Sequence, residues 1–352
     1  MHMADALVSP AVGGTMWGVS AAAIAYSARK VKLQRKDSLV PLMGVLGAFV
    51  FAAQMINFTI PGTGSSGHIA GGLLLAILLG PEAAFLVIAS VLVVQAFFFA
   101  DGGLLALGCN MFNMGFFPAF IAYPFVYRVL VRKQYAAPRG WVAAVAAAVV
   151  ALLLGAFSVV VETKASGISA LPFGTFVMLM LPIHFAIGIV EGLATAAVVL
   201  FVARARPEVL AGGEPAAGRR RSLRPVLIGL LIAAGLVGGA LSWFASTHPD
   251  GLEWSIAGLT GHTELAQQAD TAHQKLAQVQ GGSAIMPDYG FKRPGAAGQH
   301  GAARAAPAWP AVSPETSLSG LLGGLLTLVL AVLVGLALRT RRAPGAHTTV
   351  GR

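Results

Sequence analysis

The chain has 352 residues, of which 56% are hydrophobic and only 11% charged, with a formal net charge of +10. Ordinary globular chains carry about 25% charged residues, so a soluble domain of this length could not bury the apolar excess, and lipid is the expected solvent for most of it. The basic residues fall in short runs between apolar spans, the pattern of loops obeying the positive-inside bias, which excludes nucleic acid as the expected partner.

In chain order, the opening MHMADALVSP has no Lys or Arg before the first apolar run, and the span 11–28 ends at Ala28-Arg29-Lys30 without a small-residue cleavage site. No cleaved leader is expected, so Met1 is read as the start of the mature chain. Its bulky neighbour His2 disfavours removal of the methionine, which leaves a free amine beside an imidazole. A second span covers 39–58, followed by PGTGSSGH at 61–68. The apolar run 68–100 then reads either as one long span or as a hairpin broken at Gly80-Pro81, where proline ends a helix and glycine turns the chain.

Charge parity decides between the two. Basic runs lie at 29–36, 128–133, 204–224 and 339–342, and further apolar spans at 104–127, 141–161, 173–203, 226–244 and 318–338. Only two crossings between 68 and 100 put every basic run on one side, so the hairpin is the expectation. The predicted fold class is all-α: a polytopic transmembrane bundle of about nine spans, N-terminus outside and C-terminus cytoplasmic, in a cell inner membrane. The first hairpin arm, 69–79, is about 16 Å long at the helical rise, too short to start at the outer surface. The loop 61–67 is therefore expected to dip into the protein as irregular backbone and carry His68 to part-depth.

Three parts follow: a compact bundle over 1–204, a cytoplasmic linker over 205–225, and an accessory segment over 226–352 with two spans around an external stretch. That stretch, 245–316, is rich in Ala, Gly, Gln and Pro and is expected to be extended or loosely folded.

The chemistry turns on the terminus. The Met1 α-amine, the His2 backbone nitrogen and His2 Nδ1 can close a five- and a six-membered chelate ring on one ion, filling three corners of a plane. Square-planar nitrogen sites suit Cu(II) and Ni(II). A fourth nitrogen could come from His68, on the same predicted side. Taken singly, His2 reads more simply as an accident of the translation start and His68 as a packing or capping residue; the residues alone leave both readings open.

Asn57 and Ser66 flank the loop and are candidates to orient a ligand by hydrogen bonding, Asn57 alternatively capping the helix before it. Asn110 and Asn113 share a helix face and suit interhelical hydrogen bonds. His184 and Glu191, seven residues apart on one face, are read as helix-packing or partner contacts, Glu162 and Lys164 as solvated at a helix end, and His262, His273 and His300 as solvated. Cys109 is read as a packed core residue.

MHMADALVSP followed by a span, then PGTGSSGHIAGGLLLAILLGPEAA, CNMFNMGFFPAF at 109–120 and LPIHFAIGIVEGLATA at 181–196, resembles the CbiM/NikM family over 1–204. These are the membrane-embedded substrate-binding components of cobalt and nickel energy-coupling-factor (ECF) transporters. HPDGLEW at 248–254 resembles the PDGLE-type accessory segment found fused to or beside them. The resemblance implies a metal site made by Met1, His2 and His68, with Ni²⁺ or Co²⁺ as the transported ion and no cofactor. It also implies a transmembrane coupling subunit and cytosolic ATPases as partners. Ala4-Asp5-Ala6 departs from many members and leaves nickel versus cobalt open.

No G-x-x-x-x-G-K-[ST] and no H-E-x-x-H occurs in the chain, so neither phosphate cradling by that loop nor an intramembrane zinc protease is supported, and no enzyme activity is expected. The rivals are a membrane metal sensor or scaffold, which a neighbouring kinase gene would favour, and a secondary metal/proton carrier. A carrier would be driven by a pH gradient alone, and no span has the rows of acidic residues or histidines a proton relay needs.

Overall fold

The computed structural model describes residues 2–34, 39–131, 137–205, 223–266, 268–292 and 309–339. Met1, most of the linker, His300 and the basic run 340–342 therefore lie outside the described residues.

Among the described residues, five helices are long and apolar enough to cross a membrane: Pro81–Phe99, Leu107–Val131, Pro138–Ser166, Phe173–Ala205 and Pro314–Leu338. Leu39–Gln54 and Arg224–Gly239 are apolar but shorter. In chain order the helices are α1 (Pro10–Gln34), α2 (Leu39–Gln54), α3 (Gly72–Leu79), α4 (Pro81–Val94) and α5 (Leu107–Met111). α5 runs through the π-helical turns Phe112–Tyr127 into α6 (Arg128–Val131), and those wide turns hold Pro118 and Pro124, whose rings exclude ordinary helical bonds. Then come α7 (Ala137–Ser166), α8 (Phe173–Ala205), α9 (Arg224–Gly239), α10 (Gly251–Thr260), α11 (Thr271–Ser283) and α12 (Pro314–Leu338).

The hairpin at Gly80-Pro81 is present. Gly80 adopts φ 87°, a left-handed conformation that favours glycine, and Pro81 opens α4 where its missing N–H costs nothing. Every residue of α3 is buried, so this short helix is surrounded by protein and need not span lipid by itself.

The dipping loop is more regular than expected. β1 (Phe58–Ile60) and β2 (Ser65–Gly67) pair antiparallel, with Phe58 opposite Gly67 and Ile60 opposite Ser65. The ribbon satisfies backbone groups that a buried irregular loop would leave unpaired.

The described residues of the stretch 245–316 are also more ordered than its composition suggests. Asp250 and Glu253 form a reciprocal capping box at the start of α10, and Asp270 caps α11 through the amides of Ala272 and His273. Both helices fold back on the bundle, and α10 packs on α8 and β2. The composition of the whole stretch misled here because α10 still buries Leu252 and Ile256 in the core and both helices are fixed by caps.

Two polar residues read as solvated are buried. Glu162 is 5% exposed, accepting from Asn113 Nδ2 at 2.7 Å and Ser158 Oγ at 3.2 Å. His273 is 2% exposed, with Nε2 3.0 Å from both the Asp5 and the Val8 carbonyls and Nδ1 paired to Asp270. Glu162 lies on the face of α7 turned toward Asn113, while Lys164 and Ala165 at the same end are exposed, and α11 covers the N-terminal segment, so neither Glu162 nor His273 reaches water. His262 is exposed, in line with expectation.

Candidate metal centre

The N-terminal segment runs into the bundle instead of trailing from it. Met3 is fully buried, its N–H donating to Asn110 Oδ1 at 2.7 Å and its carbonyl accepting from Asn110 Nδ2 at 3.2 Å and from Gly103 N at 2.9 Å. Buried Asp5, in the 3-10 turn Asp5–Leu7, accepts from Ala106 N at 3.0 Å, and burial raises its pKa. Asn110 thus grips the terminus rather than bridging helices, while Asn113 does the bridging, to Glu162.

The loop that bears His68 is held from three sides. The Ala70 and Gly71 amides donate to the two Glu191 carboxylate oxygens at 2.8 and 3.1 Å, and Gln54 Nε2 donates to the Ala70 carbonyl at 2.8 Å. Gly71 has φ 77°, and a Cβ there would meet Val50 Cγ1 at 2.6 Å, so conformation and space both require glycine. On the third side, Ser66 donates from Oγ to the His248 carbonyl at 2.8 Å, and its N–H donates to the Pro249 carbonyl at 2.8 Å. Ser66 therefore ties the loop to the start of α10. Asn57 makes no contact with either histidine; its carbonyl accepts from Ser246 N at 2.7 Å.

These two anchored segments bring His2 and His68 together. Their rings face one another with centroids 5.2 Å apart and planes 21° from parallel. His2 Nε2 lies 3.1 Å from Gln95 Oε1, and His2 Nδ1 lies 3.5 Å from Asp101 Oδ1. Asp101 Oδ2 in turn accepts from the Tyr289 hydroxyl at 2.5 Å. His68 Nδ1 donates to the Ile69 carbonyl at 3.3 Å, which leaves Nε2 with its lone pair.

Beside His68 is a cavity of about 10 Å³, lined also by His184, Asp250 and Ile187, room for roughly one water-sized occupant. His184 donates from Nδ1 to the Met180 carbonyl of its own helix at 2.8 Å rather than to a neighbouring helix, and its buried Nε2 has no partner.

Among the described residues no group of three or more His, Cys, Asp or Glu side chains could hold an ion. The sequence reading missed Gln54, Gln95, Asp101 and Tyr289. Gln54 and Gln95 stand out in retrospect as amides inside apolar runs, where an unpaired polar group is costly; nothing local distinguishes Asp101 or Tyr289.

A family model described as the cobalt uptake substrate-specific transmembrane region, CbiM, matches residues 2–209. The chain belongs to the CbiM family. The PDGLE domain matches residues 224–340. The fused nickel transport protein NikMN of Rhodobacter capsulatus is 30% identical over 355 residues, covering 96% of this chain and 94% of that protein. A putative fused nickel transport protein NikMN of Archaeoglobus fulgidus is 39% identical over 60% of this chain and 68% of its own length. The cobalt transport protein CbiM of Geobacter sulfurreducens is 31% identical over 68% of this chain and 72% of its own. The crystal structure of a truncated transition metal transporter superposes with a TM-score of 0.52 at 29% identity, covering 58% of this chain and 99% of that one. This chain is thus an integral multi-pass membrane protein of a nickel/cobalt transport family, a non-enzymatic transporter component that unites the CbiM and PDGLE regions.

Proposed function

We propose that this protein is the substrate-capture subunit of an ECF-type transporter, taking up Ni²⁺ or Co²⁺ from outside the cell. The ion is held by the Met1 amine, the backbone and Nδ1 nitrogens of His2, and His68 Nε2. The observation that carries this reading is the meeting of His2 and His68, on separately anchored segments, 5.2 Å apart. With metal–nitrogen bonds of about 2.0–2.1 Å, two imidazoles on one ion have ring centroids roughly 4.5 Å apart at adjacent corners of a plane and roughly 6.4 Å apart at opposite corners. The two chelate rings set the amine opposite Nδ1, so His68 takes the corner adjacent to Nδ1; the observed 5.2 Å is slightly longer than the adjacent-corner value, a gap the ion closes on binding. Divalent ions of this kind displace the amide proton of His2, and His68 completes a planar nitrogen set.

Every basic run falls on the cytoplasmic side of a nine-span arrangement with the N-terminus outside, which supports capture from the exterior. Release inward is driven by a transmembrane coupling subunit and cytosolic ATPases, since this chain has no P-loop of its own. The bundle 1–204, the linker 205–225 and the accessory segment 226–352 act as parts of one uptake unit, in which α10 and α11 steady the loop and the terminus.

The test is Ni²⁺ and Co²⁺ binding by purified protein with its native terminus. His2→Ala and His68→Ala each remove a ligand and should abolish tight binding, while wild-type affinity in His2→Ala refutes the site.

A further inference from the structure

The amide groups of Gln54 and Gln95 form a chain whose polarity is fixed from one end. It starts at the Ala70 carbonyl, which can only accept, so the group facing it at 2.8 Å must be the Gln54 amide nitrogen. That choice turns Gln54 Oε1 toward Gln95, whose amide nitrogen donates to it at 2.7 Å. Gln95 Oε1 is then the atom facing His2 Nε2 at 3.1 Å. An amide oxygen accepts only, so His2 Nε2 must bear a proton, and in the neutral imidazole the lone pair then lies on His2 Nδ1. No step of this deduction relies on an arbitrary amide orientation.

Gln54 and Gln95 are 6% and 1% exposed, so water does not compete for their groups. Asp101 Oδ1, 3.5 Å from Nδ1, is beyond ordinary hydrogen-bond length and stands where a cation on Nδ1 would meet a counter-charge.

We propose that Gln54 and Gln95 are positioning residues for metal capture: they preset the His2 ring as the Nε2-protonated tautomer, with Nδ1 open to the ion, and tie that ring to the backbone of the loop that presents His68. The inference rests on the proposed function above. The relay begins two residues after His68 and ends on His2, so the two ligand-bearing segments share one hydrogen-bonded path. Partners that orient a metal-bound histidine through its other nitrogen are typically worth 10–100-fold in metal affinity.

The experiment combines Ni²⁺ titration with nitrogen-15 NMR of metal-free protein labelled at histidine, the His2 signals being assigned by their loss in His2→Ala. The wild-type protein should show His2 protonated at Nε2 and bare at Nδ1. Gln95→Leu should give a tautomer mixture and bind Ni²⁺ about 10–100-fold more weakly. Gln54→Leu, one bond further from the ring, leaves the His2 contact in place but frees the Gln95 amide to turn. It should shift the tautomer signals the same way with a smaller loss of affinity, and it keeps the idea testable if Gln95→Leu fails to fold. Wild-type tautomer signals and wild-type affinity in both glutamine variants, with binding lost in His2→Ala, would overturn the relay and leave the site standing. Wild-type binding in His2→Ala would overturn both.

Discussion

The CbiM and PDGLE regions solve the same solvent problem in opposite ways. In α4 and its continuation, Pro81–Phe99, 78% of the most apolar window is buried inside the protein, whereas in Pro314–Leu338 only 28% is. The first is an interior helix that helps to wall the site. The second turns large side chains such as Leu321, Leu325 and Leu333 outward and packs inward through Gly320, Gly323, Gly324 and Gly335. Small residues on the inner face let helices approach closely in lipid, where apolar surface alone gives no drive to associate. At Gly323 a Cβ would lie 2.0 Å from the Phe51 ring. The buried amides and glutamates Gln54, Gln95, Asn110, Asn113, Glu162 and Glu191 lie in the CbiM region, whereas the PDGLE region buries hydroxyls such as Ser242, Ser255, Ser319 and Thr327 together with His273. The PDGLE region packs α9 and α12 against α2 and α12 against α4, and adds ties to the loop and the terminus through the segment between α9 and α12.

Removing residues 245–316 and rejoining the flanking spans is the harshest test of this contrast. It should leave the first bundle folded, because that bundle's core is its own, yet reduce uptake by an order of magnitude or more, since the loop loses its ties to His248 and Pro249 and the terminus loses His273. Cellular uptake of radiolabelled nickel checks it, and unchanged uptake would remove the accessory role.

Glu191→Gln sharpens the other side of the comparison. A carboxylate accepting from two backbone amides becomes a group with one acceptor oxygen, leaving a buried N–H without its partner. That costs about 1–3 kcal/mol, so metal affinity should fall roughly 5–150-fold in equilibrium binding. An unaltered affinity would mean the clamp does not hold the binding-competent loop. Ser66→Ala deletes a single neutral bond across the boundary between the two regions, worth about 0.5–1.5 kcal/mol, and should weaken binding by roughly tenfold at most.

Much of this architecture was legible because lipid imposes simple rules. The parity of basic runs demanded two crossings over 68–100, and Gly80-Pro81 marked the break. His2 and His68 could be singled out as ligand types, and the family resemblance supplied their pairing, but the sequence could not place them face to face. That depends on Asn110 gripping Met3 and Glu191 gripping Ala70 and Gly71, contacts between residues more than a hundred positions apart. The helices α10 and α11 were missed for a different reason: D-G-L-E at 250–253 has the spacing of a capping box, but the composition around it suggested an unfolded stretch. Glu162 was misjudged because its place near a helix end suggested water, whereas it sits on the inward face, against Asn113, of an end whose Lys164 and Ala165 are exposed.

The central claim is that the first residue's amine is a ligand. It is tested most directly by Ni²⁺ titration of two purified forms, one with the native free terminus and one extended by a short N-terminal tag that turns the Met1 amine into a peptide bond. Tight binding by the native form alone is the predicted result. Equal affinity and stoichiometry in the tagged form would contradict it.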